Sequence, residues 1–111
     1  MRFEKNAGGN WNTGMRWDNK YVIAKEANEY FIIDDATGSV GIGTTEAVNS
    51  KLDVNGNIRI RGTGTSLPAA DASYRGVMYL LQGSGGQPDK LYLCMMKSDA
   101  SYQWVLIARG D

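Results

Sequence analysis

Short apolar stretches separated by polar breaks run along the whole chain. In the first half, β-branched, aromatic and other apolar residues cluster at Met15–Trp17, Tyr21–Lys25, Tyr30–Ile33 and Ser39–Ile42. Polar breaks of hairpin length, such as Asp34–Gly38, separate these stretches. This pattern is typical of β-strands joined by tight turns, and the sequence therefore predicts a β-meander in this part of the chain.

The second half repeats the pattern with longer apolar stretches. Strands are predicted at Gly76–Leu81, Leu91–Met96 and Trp104–Ala108, with a mobile Gly-rich loop at Gly83–Asp89. Because these strands are apolar at successive positions, both of their faces are expected to be covered by a second sheet or by another subunit. The sequence predicts an all-β fold that ends in a small β-sandwich or barrel-like knob.

A structural turn is predicted at Asn55-Gly56. The dipeptide stands between the apolar alternations Leu52–Val54 and Ile58–Ile60. An Asn-Gly pair in this setting is the strongest short-range signal for a two-residue β-hairpin.

Composition divides the chain into four segments. Residues 1–14 are rich in Asn and Gly, and their few large apolar groups cannot bury enough surface for the segment to fold alone. We interpret them as a segment that docks on another surface. Residues 15–61 are interpreted as the meander and neck, the Gly- and Thr-rich residues 62–66 as a linker, and residues 67–111 as the knob.

Length and charge limit the classes of partner. A chain of 111 residues forms one domain or two very small ones, so a subunit interface would add considerably to its stability. Lys plus Arg and Asp plus Glu each number 12, which leaves no net charge to attract nucleic acid or an anionic membrane. We expect no membrane span, because no apolar run approaches the required length of about 18 residues.

Catalytic chemistry is not expected from this sequence. The chain has no His, which removes Ser–His and Cys–His pairs. Cys94 lies within a predicted strand and is interpreted as a small buried apolar residue, and Asp34-Asp35 as turn residues rather than a glycosidase pair. No complete phosphate, dinucleotide, calcium or Cys/His motif is present, so we predict no enzyme activity, no catalytic residue, no cofactor and no metal.

One tetrapeptide occurs twice. The sequence Asp-Ala-Ser-Tyr stands at Asp71–Tyr74 and again at Asp99–Tyr102, each time just before a predicted strand. We interpret the two copies as the same polar turn, which leads an aromatic residue into a strand.

Aromatic side chains and one loop are the candidates for binding. Trp11 and Trp17 are interpreted as docking contacts, and Trp104 as a core residue. Gln87 and Asp89 in the Gly-rich loop are candidate receptor contacts, because polar loops on rigid strands often carry recognition. The same aromatic residues fit a second interpretation, a monomeric carbohydrate-binding module that stacks them on sugar rings.

The run VGIGTT…KLDVNGNIRI resembles the neck segments of bacteriophage tail-fibre and spike proteins. The runs LPAADASYRGVMYLLQG and DKLYLCMMKSDASYQWV and the closing LIA are similar to small β-modules at the ends of such fibres, and the likeness spans roughly residues 39–108. The resemblance implies a short intertwined trimeric β neck with a C-terminal knob, in which glycines let three backbones approach a shared axis. No self-cleaving chaperone domain follows Asp111, so self-cleavage is not expected.

The resemblance also implies a function and partners. It suggests a virion structural protein, either a fibre, a spike or a decoration, that is made in the host cytoplasm and contributes to host attachment. Its expected partners are its own copies in a homotrimer, other capsid or tail proteins, and a glycan or protein on the host surface. Residues 1–14 would then be the virion-attachment segment.

Overall fold

The computed structural model describes the backbone of residues 2–3 and all atoms of residues 10–46, 50–62 and 64–111. Over these residues the chain is all-β, which confirms the predicted fold class. The chain divides into two compact units, residues 1–58 and 59–111, so the predicted linker at 62–66 lies within the second unit. In the described part of the chain, no helix has the length and apolar character needed to cross a membrane.

The first unit is a single six-stranded sheet in which the strands are neighbours in chain order. The strands are β1 (Arg2–Phe3), β2 (Trp11–Met15), β3 (Tyr21–Lys25), β4 (Asn28–Ile33), β5 (Val40–Ile42) and β6 (Leu52–Val54). Strands β1 to β5 pair antiparallel, as the predicted meander requires.

Strand β2 begins earlier and ends earlier than the apolar pattern predicts. The predicted strand Met15–Trp17 is wrong beyond Met15, because the chain turns at this point. The Arg16 amide donates to the Lys20 carbonyl at 2.7 Å, and the Asn19 amide donates to the Arg16 carbonyl at 3.0 Å. Asn19 has a φ of 65°, a conformation that Asn tolerates better than most residues, and this residue permits the tight turn.

The N-terminal segment takes part in the sheet where the structure describes it. Residues 11–14 lie in β2 and pair with β3, from Trp11 opposite Lys25 to Gly14 opposite Val22. The interpretation of residues 1–14 as a segment that docks on another surface is therefore wrong for residues 11–14, because β3 of the same chain supplies backbone partners that composition cannot reveal. Residues 1 and 4–9 of the segment lie outside the described residues.

Strand β6 pairs with β5 in the parallel direction, and this overturns the predicted hairpin at Asn55-Gly56. Ile58–Ile60 form no strand. Asn55 instead turns back to the end of β5, where its amide N donates to the Ile42 carbonyl at 2.9 Å and its Nδ2 donates to the Gly43 carbonyl at 3.1 Å. The polar residue thus ends a parallel pair and does not reverse the chain.

The second unit contains one antiparallel three-stranded sheet. Its strands are β7 (Met78–Leu81), β8 (Lys90–Met96) and β9 (Tyr102–Arg109). In place of the predicted sandwich or barrel, residues that precede β7 cover one face of the sheet. Gly64 pairs with Leu81 and accepts a hydrogen bond from the Gln82 amide at 3.1 Å, so part of the predicted linker is held against β7.

Trp104 is the centre of the covered face. Its ring lies 5.7 Å from the ring of Tyr74 and 5.8 Å from that of Tyr79, and its Nε1 donates to the Pro68 carbonyl at 2.7 Å. Cys94 is opposite Trp104 in the register and is fully buried, as predicted. These contacts hold residues 68–74 on the sheet.

The repeated tetrapeptide makes the same side-chain hydrogen bonds at both positions, although the backbone conformations of the two copies differ. Asp71 Oδ1 accepts from the Ser73 amide at 2.8 Å, and Asp99 Oδ1 accepts from the Ser101 amide at 3.0 Å. In each copy the serine hydroxyl also donates to the same carboxylate oxygen. The second copy leads Tyr102 into β9, as predicted, with Ala100 at a φ of 66°. The prediction is wrong for the first copy, because Tyr74 ends a short 3₁₀ turn at Ala72–Tyr74 and β7 begins only at Met78.

Candidate functional site

The two faces of the first sheet differ in chemistry. Residues opposite each other in a sheet point to the same face, and successive residues alternate between faces. The back face contains Ala24, Ile32 and Gly41, which are buried, together with the carboxylate of Glu29. The front face is formed by the alternate set, which consists of Trp11, Thr13, Met15, Tyr21, Ile23, Lys25, Phe31, Ile33, Val40, Ile42, Leu52 and Val54.

The front face is apolar and uncovered. Six of its side chains are between 37% and 63% exposed, namely Trp11, Met15, Tyr21, Ile23, Ile42 and Leu52. A fully exposed large side chain presents on the order of 200 Å², so these six together present on the order of 500 Å² of surface. Monomeric proteins seldom expose a contiguous apolar patch of more than a few hundred Å², so this face has the character of an interaction surface.

A network of charged side chains links Glu29 on the back face to the turn between β2 and β3. Arg16 Nη1 lies 2.7 Å from Glu29 Oε2, and Arg16 also pairs with Asp18. Lys20 Nζ lies 3.2 Å from both Asp18 Oδ2 and Glu46 Oε2. Because Glu46 belongs to the connection between β5 and β6, the network fastens this connection to the turn between β2 and β3.

The network shifts the pKa values of its members. The hydrogen bond from Arg16 holds the pKa of the Asp18 carboxyl well below its usual range, and Lys20 adds to this effect. The hydrogen bond to Asp18 raises the pKa of Lys20, and the same partner raises the pKa of Arg16. These shifts show that the charged side chains stabilise one another, and their ion pairs hold the turn between β2 and β3 against the connection between β5 and β6.

Acid is expected to loosen this network through Asp18. A carboxyl whose pKa is lowered by folding stabilises the protein above its unfolded value of about 3.9, and that contribution is lost as the pH falls through the folded value. We expect Asp18→Asn to be less stable than wild type at pH 7 and to lose less stability than wild type on acidification below about pH 4. Urea unfolding at several pH values measures both effects.

Asp35→Asn is the control for this comparison. It removes an exposed carboxylate from the turn between β4 and β5 that belongs to none of the network's ion pairs. Equal pH dependence in the Asp18→Asn and Asp35→Asn variants would contradict a special role for Asp18.

The structure separates the two tryptophans predicted as docking contacts. Trp11 begins β2 and lies on the front face, where its ring centroid is 5.5 Å from that of Tyr30. Trp17 follows the end of β2 and is 91% exposed at the turn. The two side chains stand at opposite ends of a strand, on the order of 15 Å apart, so they do not form one stacking surface.

The loop at Gly83–Asp89, predicted to be mobile, is closed by its own hydrogen bonds. Asp89 Oδ1 accepts from the Gly83 amide at 2.7 Å, and the Gln87 amide donates to the Ser84 carbonyl at 3.1 Å. A Cβ at Gly83 would stand 1.9 Å from the Gln87 carbonyl oxygen, so only glycine fits this close approach. Asp89 thus holds the loop in shape, whereas the Gln87 residue is exposed.

The two loop residues are expected to respond differently to substitution. Asp89→Ala removes the acceptor of the Gly83 amide and should increase hydrogen exchange across residues 83–89, with a loss of about 1 kcal/mol in stability. Gln87→Ala should leave both quantities close to wild type, because its backbone bond to Ser84 is kept. Hydrogen exchange with mass spectrometry and thermal unfolding check the pair, and similar exchange in both variants would contradict the structural role of Asp89.

The second sheet also has an uncovered apolar face, which we call the outer face. It lies opposite the Trp104 face and includes Met78, Leu93, Met95 and Val105. Met78 and Met95 are exposed, and Ile107 on the same strand as Val105 is exposed as well. Both units therefore present apolar sheet faces to solvent.

Within the described residues, no group of three or more His, Cys, Asp or Glu side chains is arranged to hold a metal ion. Comparison with protein-family models, with curated proteins and with solved structures found no match. Function is therefore inferred from the surfaces of the chain itself.

Sequence reasoning singled out loop residues and tryptophans and missed the front face. The signal was present, because each strand from β3 to β6 places apolar residues two positions apart, as in Tyr21 and Ile23 or Leu52 and Val54. What the sequence did not provide was the register that aligns these pairs into continuous rows.

Proposed function

We propose that this protein is a structural component of a bacteriophage particle, a homotrimeric fibre, spike or decoration that is built from two small β units and contributes to attachment to the host surface. The observation that supports it best is that few apolar residues are buried while many are exposed on the sheet faces. Among the described residues, the buried apolar side chains are Ala24, Ile32 and Cys94, while mainly apolar side chains form one exposed face of each sheet. Such a chain gains stability when other chains cover these faces.

Two further features support assembly. Strands β6 and β9 end their sheets within the described part of the chain and offer open edges, which natural proteins usually cover or pair. Lys plus Arg and Asp plus Glu both number 12, so copies of the chain carry no net charge that would repel them. The resemblance of residues 39–108 to phage fibre segments supports the choice of a virion assembly over other oligomers.

A monomeric carbohydrate-binding module is the second candidate. The feature that favours it is Trp17, which is 91% exposed at a turn, where an indole ring is accessible to a sugar. On this alternative the apolar faces would remain uncovered in solution.

Mass in solution distinguishes the two candidates. Sedimentation equilibrium at micromolar concentration should give three times the chain mass of 12.1 kDa, and immunogold electron microscopy with an antibody to the protein should label phage particles. A chain of monomer mass that binds glycan arrays through Trp17 would replace this proposal with the second candidate. A trimer that labels no particle would retain assembly and reject the virion role.

A further inference from the structure

We propose that the front face of the first sheet is the surface on which copies of this chain meet. This inference rests on the proposed assembly but adds to it the identity of the interface. The surface is formed by two rows of mainly apolar residues that cross strands β2 to β6, one from Met15 to Leu52 and one from Thr13 to Val54. Trp11 and Tyr30 extend it at one end through their ring contact.

The size of the front face fits a stable interface. Stable protein interfaces bury about 800 Å² on each partner, with an apolar centre and a polar rim. The six most exposed side chains supply on the order of 500 Å² of apolar centre, by the same estimate as above. The half-buried Phe31, Ile33, Val40 and Val54, together with rim residues such as Lys25, add the remainder.

The charge and chemistry of the front face suit a second copy of the same surface. The two rows contain no charged residue among the described positions, and Lys25 stands beside them at the margin of the face, opposite Trp11. Two or more copies can therefore cover each other's front faces without burying an unpaired charge, which would be costly. Thr13 donates its hydroxyl hydrogen to the hydroxyl of Tyr21, so this polar pair is satisfied within one chain.

The small core of the first unit also favours a copy of the chain over a foreign partner. Ala24 and Ile32 are its buried apolar residues in the described part, and a unit of this size with so small a core is marginal alone. A partner that helps the unit to fold must be present when the chain is made. Other copies of the same chain meet this requirement, as in obligate oligomers that have no stable folded monomer.

Two methionines provide a test on the wild-type protein. Met15 lies on the front face and is 63% exposed in the single chain, whereas Met78 lies on the outer face of the second sheet and is 56% exposed. Methionine oxidation by dilute peroxide, read by peptide mass spectrometry, should be lost at Met15 in the assembled protein and should return on dilution below the association midpoint. Met78 reports in the same experiment on whether the outer face is covered, and a methionine-containing peptide added to each sample is the reference for reagent activity.

The outcomes separate this inference from the proposed assembly. Protection of Met15 that appears with protein concentration supports the inference. Oxidation of Met15 at the same rate in a protein of trimer mass as in the diluted chain would overturn the inference and leave the assembly intact. A monomer mass at all concentrations would overturn both, and protection of Met15 only after a foreign protein is added would reject the second copy as the occupant.

A pair of isoleucine variants gives an independent measurement. Ile42→Thr places a hydroxyl on the front face while it keeps the β-branched shape that strands favour. Ile58→Thr makes the same change at an exposed isoleucine outside both sheets. We expect Ile42→Thr to raise the association midpoint on the order of tenfold or more, and Ile58→Thr to leave it unchanged.

Circular dichroism checks that each isoleucine variant retains its strands. If Ile42→Thr does not fold, the protection of Met15 from oxidation in the wild-type protein alone tests the inference. Equal midpoints for the two folded variants would overturn the inference.

Discussion

Replacing Ile32 by alanine should lower the stability of the first unit by about 2–5 kcal/mol, the usual cost of removing a large aliphatic side chain from a core. Ile32 is completely buried on the back face and lies in β4 opposite Val22 and Gly41. Gly41 has no side chain, so this neighbour cannot fill the cavity that Ile32→Ala would leave. For so small a unit, a loss of this size approaches the whole free energy of unfolding.

Urea unfolding followed by far-ultraviolet circular dichroism measures this effect, with all samples at one protein concentration because assembly shifts apparent stability. The matched control is Ile58→Ala, which removes the same atoms from a side chain that is 69% exposed. The control should change stability by no more than about 0.5 kcal/mol. Equal losses in the two variants would show that the back face is not the core.

Replacing Trp104 by alanine should cost the second unit about 3–5 kcal/mol. The substitution removes the ring contacts with Tyr74 and Tyr79 and leaves the Pro68 carbonyl without its indole donor. Trp104→Phe separates these contributions, because phenylalanine keeps an aromatic ring but cannot donate a hydrogen bond. We expect Trp104→Phe to lose about 1–2 kcal/mol, mainly from the unpaired carbonyl.

The location of increased hydrogen exchange in the Trp104→Ala variant tests this prediction further. Hydrogen exchange should rise in residues 68–74 of the Trp104→Ala variant, since Trp104 holds this segment on the sheet. Exchange in β3 and β4 of the first unit should be unchanged, because these strands belong to a separate compact unit. A variant that loses stability without faster exchange in residues 68–74 would contradict the anchoring role.

The sequence predicts strands well where local preference and tertiary pairing agree. Tyr21–Lys25 is a strand over the predicted range, because β-branched and aromatic residues lie between polar turns. The strand predicted at Trp104–Ala108 begins two residues earlier, at Tyr102, since the Asp99 turn closes immediately before it. Local turn chemistry therefore locates this boundary better than apolar content does.

Predictions fail where distant residues decide the conformation. Asn55-Gly56 has the composition of a hairpin turn, but β6 already has a parallel partner in β5, and Asn55 binds the end of that strand. Arg16 interrupts the predicted strand at Met15–Trp17, because its guanidinium is surrounded by Asp18, Glu29 and Glu46. Asp18 is close to Arg16 in the sequence, but Glu29 and Glu46 are not, and the partners of Asn55 lie more than ten residues away. Local sequence therefore does not identify these distant partners.

The front face, too, could be predicted only in part from the sequence. The apolar alternation of each strand is visible in the sequence, whereas the alignment of Met15, Tyr21 and Leu52 into one row depends on the register of the sheet. The structural role of Asp89 could not be predicted either, since its bond to the Gly83 amide joins residues that the loop brings together only when folded.

The parallel pairing of β6 has a consequence for how the native protein fluctuates. This strand is three residues long, pairs with β5 alone among the described strands, and has Leu52 largely exposed. Segments with few buried contacts open at a lower free energy than the rest of a fold and release their amides to solvent first. Transient opening of the first unit should therefore start at β6 and move inward, with β3 and β4 the last to exchange.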